Sequence, residues 1–333
     1  MRIGIAFDLR DDYARAGYDE EDIVEFDSIE TIEAIEAALL SLGHNTERIG
    51  SALKLAQRLE NGDRWDLVYN SAEGMHGFGR EALAPALLDS YGVPYAFSDP
   101  LTLTVTLHKA TAKHVVRDCG IPTPDFAVVE TPGDVERIAL PYPLFIKPIA
   151  EGTSKGISAA SKVHDLAELR KGCERLLLRH KQPVLVEVYL PGREFTVGIL
   201  GTGDHARVLG IMEIMVRDGP EPEIYSYQNK KNFDDRVSVR LVDDAAGAEA
   251  TRLALAAWKH LGCRDAGRID IRCDQAGKAH FLEANPLPGM HPRDSDLPLL
   301  GRMKGMSYQG LIEQIIRSAS TRRAFQSGQR NPL

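Results

Sequence analysis

No stretch of the 333-residue chain approaches the roughly 18–20 consecutive apolar residues that cross a bilayer, so no membrane contact is expected. The opening MRIGIAFDLR lacks the basic region, long apolar core and small-residue cleavage site of a secretory leader and reads as a strand. The four cysteines, Cys119, Cys173, Cys263 and Cys273, show neither CxxC spacing nor histidines at zinc-like intervals. Thiols in a reducing, cytoplasmic setting are expected. There is no repeat of solenoid length and no low-complexity tract. Positive charge is in deficit, 40 Lys and Arg against 48 Asp and Glu. A net charge of −8 argues against broad nucleic-acid binding but leaves room for a local basic pocket for a nucleotide. Two common phosphate loops, GxxxxGK[ST] and GxGxxG, are absent.

What is present suits two or three compact units. Residues 2–7 (RIGIAF) form a short apolar run, predicted as a buried strand, and 8–22 read as an acidic loop. A helix is predicted from Asp27, with Glu30 completing a capping-box pattern. Its apolar stripe is Ile29, Ile32, Ile35, Leu39 and Leu42, and Gly43 ends it. A helix over 51–60 and a strand over 66–69 follow, the alternation of a parallel sheet. Ligands of such sheets sit at the carboxyl ends of strands. There lies the loop 70–80 (NSAEGMHGFGR), with Glu73, His76 and Arg80, and Glu81 just beyond. A helix over 81–90, a strand over 92–97 and a boundary turn at Asp99-Pro100 complete this part.

Residues 108–119 (HKATAKHVVRDC) are predicted helical, with Lys109 and Lys113 on one face. Strands are expected over 126–129 and 143–148, the second carrying Lys147 in an apolar setting, where it either snorkels to solvent or holds an anion. The loop 151–156 (EGTSKG) is rich in small residues that let backbone N–H groups approach phosphate oxygens. After a helix over 166–180, strands are predicted over 184–189, 194–200 and 208–216. The polar stretch 219–235, with Lys230 and Lys231, has the character of a lid. A helix over 245–261 leads to two strands. In GRIDIR (267–272), Arg268 and Asp270 share one face. In AHFLEANPLPGMH (279–291), Glu283 and Asn285 do likewise, offering hard oxygens of the kind Mg²⁺ takes. A closing helix over 308–318 and a disordered tail over 319–333 are expected.

Together HKATAK, FIKP, EGTSKG, VEVYLPGREFTVGIL, GRIDIR and FLEANPLPGM, in this order and spacing, resemble the ATP-grasp superfamily and, within it, the D-alanine–D-alanine ligase family. The resemblance spans nearly the whole chain. It implies an N-terminal open parallel α/β domain (1–103) followed by a two-lobed α+β ATP-grasp fold. The small lobe would be 104–183, and the C-terminal lobe with metal site and lid 184–318. By position, Lys109 and Lys147 would bind nucleotide phosphates. Glu187, Val188, Tyr189 and Leu190 would contact adenine, and Glu194 the ribose. Glu151, Gly152, Thr153 and Ser154 would belong to the loop covering ATP, with Ser154 near phosphate. Asp270, Glu283 and Asn285 would hold two Mg²⁺ ions, Mn²⁺ being an alternative. Lys230 would reach the γ-phosphate, and Arg268 would face the oxyanion of a tetrahedral intermediate. The implied activity is ADP-forming ligation of a carboxylate and an amine through an acyl phosphate. The implied partners are small amino-acid-like substrates and a second copy in a homodimer.

The departures concern the first substrate. Family members carry a glycine-rich first loop whose glutamate holds a substrate amine. Here the stretch is FDLRDD (7–12), where Asp8 is a candidate substitute. Glu73 is a second candidate for substrate contact. The serine and tyrosine that join that glutamate are Thr153 and Lys231 here. At the second site Arg268 is kept, Gly289 lies close in sequence, and Ser295 matches the carboxylate-binding serine given one extra residue in 291–294. A ligase with a different first substrate is therefore one reading. Another ATP-grasp chemistry and a non-catalytic nucleotide binder are the competitors.

Overall fold

The computed structural model describes residues 1–216 and 237–328. Among them three sheets follow one another along the chain. The first is parallel, order β2-β1-β3, from β1 (Arg2–Phe7), β2 (Asn45–Gly50) and β3 (Leu67–Ser71). Strand β2 escaped the sequence reading. NTERIG has charged and polar residues at its start and buries only its last two positions, so no apolar run marks it. The stretch 8–22, expected as loop, contains the short α1 (Arg10–Arg15). Helix α2 (Ile29–Ser41) is capped by Ser28, whose Oγ accepts the Thr31 N–H at 3.3 Å. Asp27 is therefore not the cap; its carboxylate accepts from the Ser71 hydroxyl at 2.7 Å instead. Helices α3 (Ala52–Glu60) and α4 (Leu83–Ser90) complete the unit. The predicted strand over 92–97 reduces to a single bridge, Val68 to Tyr95.

Asp99-Pro100, read as a boundary turn, opens a helix. Asp99 accepts the Thr102 N–H at 2.9 Å and Pro100 takes the first turn of α5 (Pro100–Leu107), where its missing N–H costs nothing. Helix α6 (Lys109–Asp118) follows at once. The second sheet is antiparallel, order β4-β7-β5-β6, from β4 (Phe126–Val129), β5 (Leu144–Pro148), β6 (Lys162–Val163) and β7 (Val184–Val188). Helix α7 (Leu166–His180) covers it through Leu169, Cys173 and Leu176. Strand β7, expected to open the C-terminal lobe, thus belongs to the middle sheet, because its Val184 and Val186 fill that core.

The third sheet runs β10-β9-β8-β11-β12, all antiparallel: β8 (Glu194–Leu200), β9 (Arg207–Val216), β10 (Val237–Leu241), β11 (Ala266–Cys273) and β12 (Ala279–Asn285). Helix α8 (Ala245–His260) lays Trp258 on one face. Helices α9 (Asp296–Met303) and α10 (Tyr308–Gly328) close the chain. Ile312 and Ile315 of α10 share a core with Ile32 and Ile35 of α2, so the last helix returns to the first sheet's unit. The helix continues past 318, where a disordered tail was expected: Ala319 is buried and Arg322 is bonded to the buried Asp265.

Candidate active site

Antiparallel pairing of β11 with β12 sets Asp270 opposite Glu283 and Arg268 opposite Asn285. Side chains directly opposite on one face lie about 5 Å apart at Cβ, so the four residues gather at one spot. Asp270 Oδ1 accepts from the Thr196 hydroxyl at 2.9 Å and Oδ2 from the Asn285 amide at 3.1 Å. Burial pushes the Asp270 carboxyl up to about 6; Arg268 opposes this, while Glu283 and Asp296 add to it. Negative charge is thus crowded here, which a divalent cation would relieve. Among the described residues no three His, Cys, Asp or Glu side chains form a self-sufficient metal cluster. Two carboxylates and an amide oxygen are hard donors that leave coordination positions for phosphate oxygens, a set that fits Mg²⁺ held with a nucleotide.

Facing these acids are two lysines. Glu283 Oε2 lies 3.6 Å from Lys109 Nζ and 3.7 Å from Lys147 Nζ. Lys147 also meets Glu187 at 3.1 Å, and Glu187 meets Lys113 at 2.8 Å. Burial works to protonate Glu187, but Lys113 and Lys147 overcome it and hold the carboxyl below its usual range. Burial alone would lower Lys147; Glu187 and Glu283 reverse that, so its charge is secured. Lys109 and Lys113 were expected to share a face. They do, on one helix, and both enter the same group of charges: Lys109 reaches Glu283 and the Glu151 carbonyl, while Lys113, fully buried, meets Glu187.

The loop 151–156 turns tightly. Lys155 N–H donates to the Gly152 carbonyl at 2.9 Å and Ile157 N–H to Ser154 at 3.0 Å, with Thr153 and Ser154 in the left-handed region at φ 48° and 57°. Thr153, Ser154 and Ile157 line a cleft, together with Glu187, Val188, Tyr189 and Leu190. Glu194, Arg268, Asp270 and Glu283 line it too. Arg272 also lines it. It donates to Glu194 at 2.9 Å and to the Tyr189 hydroxyl at 3.2 Å, and its guanidinium lies over the Tyr189 ring. The two-residue arithmetic that joined Arg268 to Asp270 reaches Arg272 as well, so this residue was within reach of the sequence.

The residues expected at the first substrate divide. Asp8 is buried with both oxygens engaged, accepting from the Tyr13 hydroxyl at 2.6 Å and the Gly74 N–H at 2.9 Å. It shapes the 72–75 loop and offers no lone carboxylate. Glu73 lies 3.6 Å from Arg80, and burial, helped by Glu81 and Glu25, pushes its carboxyl well up. Lys230 and Lys231 lie outside the described residues. Gly289 and Ser295 come together: Ser295 Oγ accepts the His291 N–H at 2.9 Å, and a Cβ at Gly289 would sit 2.9 Å from that oxygen. Arg268 stands 3.4 Å from Asp296, next in sequence to Ser295. Glu25, whose carboxylate accepts the Gly152 N–H, went unnoticed, since nothing in IVEF marks one glutamate in an acidic stretch.

Two antiparallel α+β lobes flanking a cleft with paired lysines, a buried glutamate and an Asp–Glu–Asn set are the features of the ATP-grasp class of proteins. Two solved structures share the whole architecture at TM-scores of 0.74 and 0.73: a D-alanine–D-alanine ligase from Bacillus anthracis complexed with ATP and the VanG D-Ala:D-Ser ligase from Enterococcus faecalis. They cover 98% and 96% of this chain, and 99% of their own, at 22% and 21% identity. The model of the D-ala D-ala ligase C-terminus matches residues 115–317. A D-alanine–D-alanine ligase of Aquifex aeolicus is 31% identical over 87% of this chain and 94% of its own length. The chain belongs to the D-alanine–D-alanine ligase family.

Proposed function

We propose that the protein is an ATP-dependent, ADP-forming ligase that joins the carboxylate of one amino-acid-like substrate to the amine of another. The observation that carries this is the facing of Asp270, Glu283 and Asn285 by Lys109 and Lys147 across one cleft. Adenine would rest at residues 187–190, and Glu194, oriented by Arg272, would take the ribose hydroxyls. On nucleotide binding, Lys109 and Lys147 would exchange Glu283 for phosphate oxygens, freeing that carboxylate. Asp270, Glu283 and Asn285 would then hold Mg²⁺, which when bound supplies neutralisation of phosphate charge.

A carboxylate oxygen of the first substrate attacks the γ-phosphorus as its bond to the ADP oxygen breaks, giving an acyl phosphate. The amine of the second substrate attacks the acyl carbon, loses a proton, and expels phosphate. Arg268 would steady the oxyanion formed in that step. Ser154 would stand near the transferring phosphoryl group, and Lys230 would reach it from outside the described residues. Gly289 and Ser295 would frame the second substrate's carboxylate.

D-alanine is the reference substrate for both positions. A different first substrate is a second reading, favoured by Asp8, whose oxygens are already bonded. Coupled ADP release with ATP, Mg²⁺ and a panel of D- and L-amino acids separates the two: turnover with D-alanine alone at a high rate removes the second. For Asp270→Asn we expect ADP formation to fall by ~100-fold or more with the fold retained by circular dichroism; undiminished turnover would overturn the whole reading. Three units, a homodimer and a cytoplasmic setting are part of the proposal. The four free thiols suit the last, and sedimentation analysis tests the dimer.

A further inference from the structure

Beneath the 151–156 loop lies a buried group of charges that the ligase chemistry leaves unused. Arg80, just before α4, has four carboxylates around it: Glu25 at 2.7 Å, Glu81 at 3.4 Å, Glu73 at 3.6 Å and Glu151 at 4.0 Å. Its side chain is only 6% exposed and that of Glu25 7%. The two oxygens of Glu25 are divided. Oε2 takes the Arg80 guanidinium, and Oε1 takes the backbone N–H of Gly152, 127 residues away in the chain. A Cβ at position 152 would sit 2.9 Å from Oε1, so a larger residue there would push the Glu25 carboxylate aside. The neighbouring contacts run the same way. Lys155 meets Glu151 at 2.9 Å and donates to the Asp22 carbonyl at 3.4 Å; Arg179 on α7 meets Glu21 and Asp22.

A carboxylate this deep would take up a proton without a cation beside it, and a protonated carboxyl is a weaker acceptor for an N–H than an ionised one. Burial presses Glu25 toward protonation; Arg80, Lys155 and the Gly152 N–H outweigh it. Glu73 and Glu81 are pushed up by burial, so they compete weakly for the guanidinium, which stays committed to Glu25.

We propose that Arg80 is a positioning residue for nucleotide binding: it fixes Glu25 as the acceptor of the Gly152 N–H and so seats the 151–156 loop over the cleft. This rests on the reading of that loop as the cover of the nucleotide. It gives the first sheet's unit a direct hold on the 151–156 loop, through the Arg80–Glu25 pair.

The test uses the full chain and its variants Arg80→Met, Arg80→Lys and Glu25→Gln. Affinity for Mg·ATP is measured by calorimetry, KM and kcat by ADP release, and loop seating by the rate of tryptic cutting after Lys155, read by mass spectrometry. Loss of one charge-assisted hold is expected to weaken Mg·ATP binding by ~10-fold in Arg80→Met. The KM for ATP rises more than kcat falls, and cutting at Lys155 is faster. Arg80→Lys, which keeps charge but not the fork, recovers part of the loss. The double variant Arg80→Met with Glu25→Gln is no worse than the poorer single one, since both act through one bond. Unchanged affinity and unchanged cutting in a folded Arg80→Met protein overturn the proposal, as does a fall in kcat with affinity intact. Should Arg80→Met not fold, Glu25→Gln decides, because the amide keeps the size and loses the charge: unchanged affinity and cutting there overturn it equally. Wild-type protein that binds no Mg·ATP sinks the nucleotide reading itself, whereas wild-type binding with indifferent variants sinks only the role of Arg80.

Discussion

Buried ionised groups in this protein come with partners, and the exceptions titrate. Glu187 keeps its charge between Lys113 and Lys147, as a desolvated carboxylate must if it is to stay ionised. Asp27 has a hydroxyl for company and a more distant Arg10; burial dominates and pushes its carboxyl up to about 7, with Ser71 and Arg10 opposing. A folded-state pKa above the unfolded one means the folded form binds the proton more tightly. The contribution of Asp27 is therefore fully present below about pH 4 and is lost as pH rises through 7. Between pH 5 and 8 we expect this to remove on the order of 2 kcal/mol. Asp27→Asn should flatten the dependence of the urea midpoint on pH over that range, while Glu81, also pushed up to about 7 by burial, retains its share. An unaltered pH profile in Asp27→Asn would count against the assignment.

At the scale of elements, the site depends on how closely β11 approaches its neighbours. Gly267 permits this: a Cβ there would lie 2.5 Å from the Asn285 carbonyl oxygen and 2.8 Å from the Trp258 ring. Backbone on one side and a fully buried indole on the other cannot yield cheaply. Gly267→Ala should force β11 away from β12 and cost about 2 kcal/mol of stability by urea unfolding. Because Arg268 is paired with Asn285 in register, ligase activity should fall as well. A variant as stable and active as wild type would show that the strands have slack. The sequence already held the key pairing, since alternation put Asp270, Glu283 and Asn285 on matching faces. It could not supply β2, whose residues are mostly polar, or the cap at Ser28 in place of Asp27.

For the molecule as a whole, the last helix ties the units together through Asp265, which is completely buried. Its Oδ2 accepts the Phe97 N–H at 2.8 Å and the Arg322 guanidinium at 2.6 Å; its Oδ1 accepts from Ser318 at 2.7 Å. Arg322 also donates to the carbonyl of Tyr95 at 3.0 Å. One carboxylate thus joins the first unit, the third sheet and α10. Removing its cation strands a buried charge, so Arg322→Met should destabilise the protein by about 3 kcal/mol, read as a lower calorimetric Tm. A chain ending at 318 should lose at least as much. No change in either would mean that α10 is held by its apolar face alone.

The sequence by itself carried the class of fold and the expectation of a nucleotide cleft, through motifs whose order and spacing resemble a known family. Local signals alone, strand alternation, glycines where backbone must come close and a lysine set in an apolar strand, singled out Lys147, Asp270, Glu283 and Asn285. Which charges answer one another was decided only by the tertiary structure. Glu25 and Gly152, or Asp265 and Arg322, are far apart in the chain, and Glu25, Asp265 and Arg322 look like ordinary surface residues until folding removes the water around them. Desolvation makes the partner obligatory, and the partner's identity depends on which elements the fold stacks together.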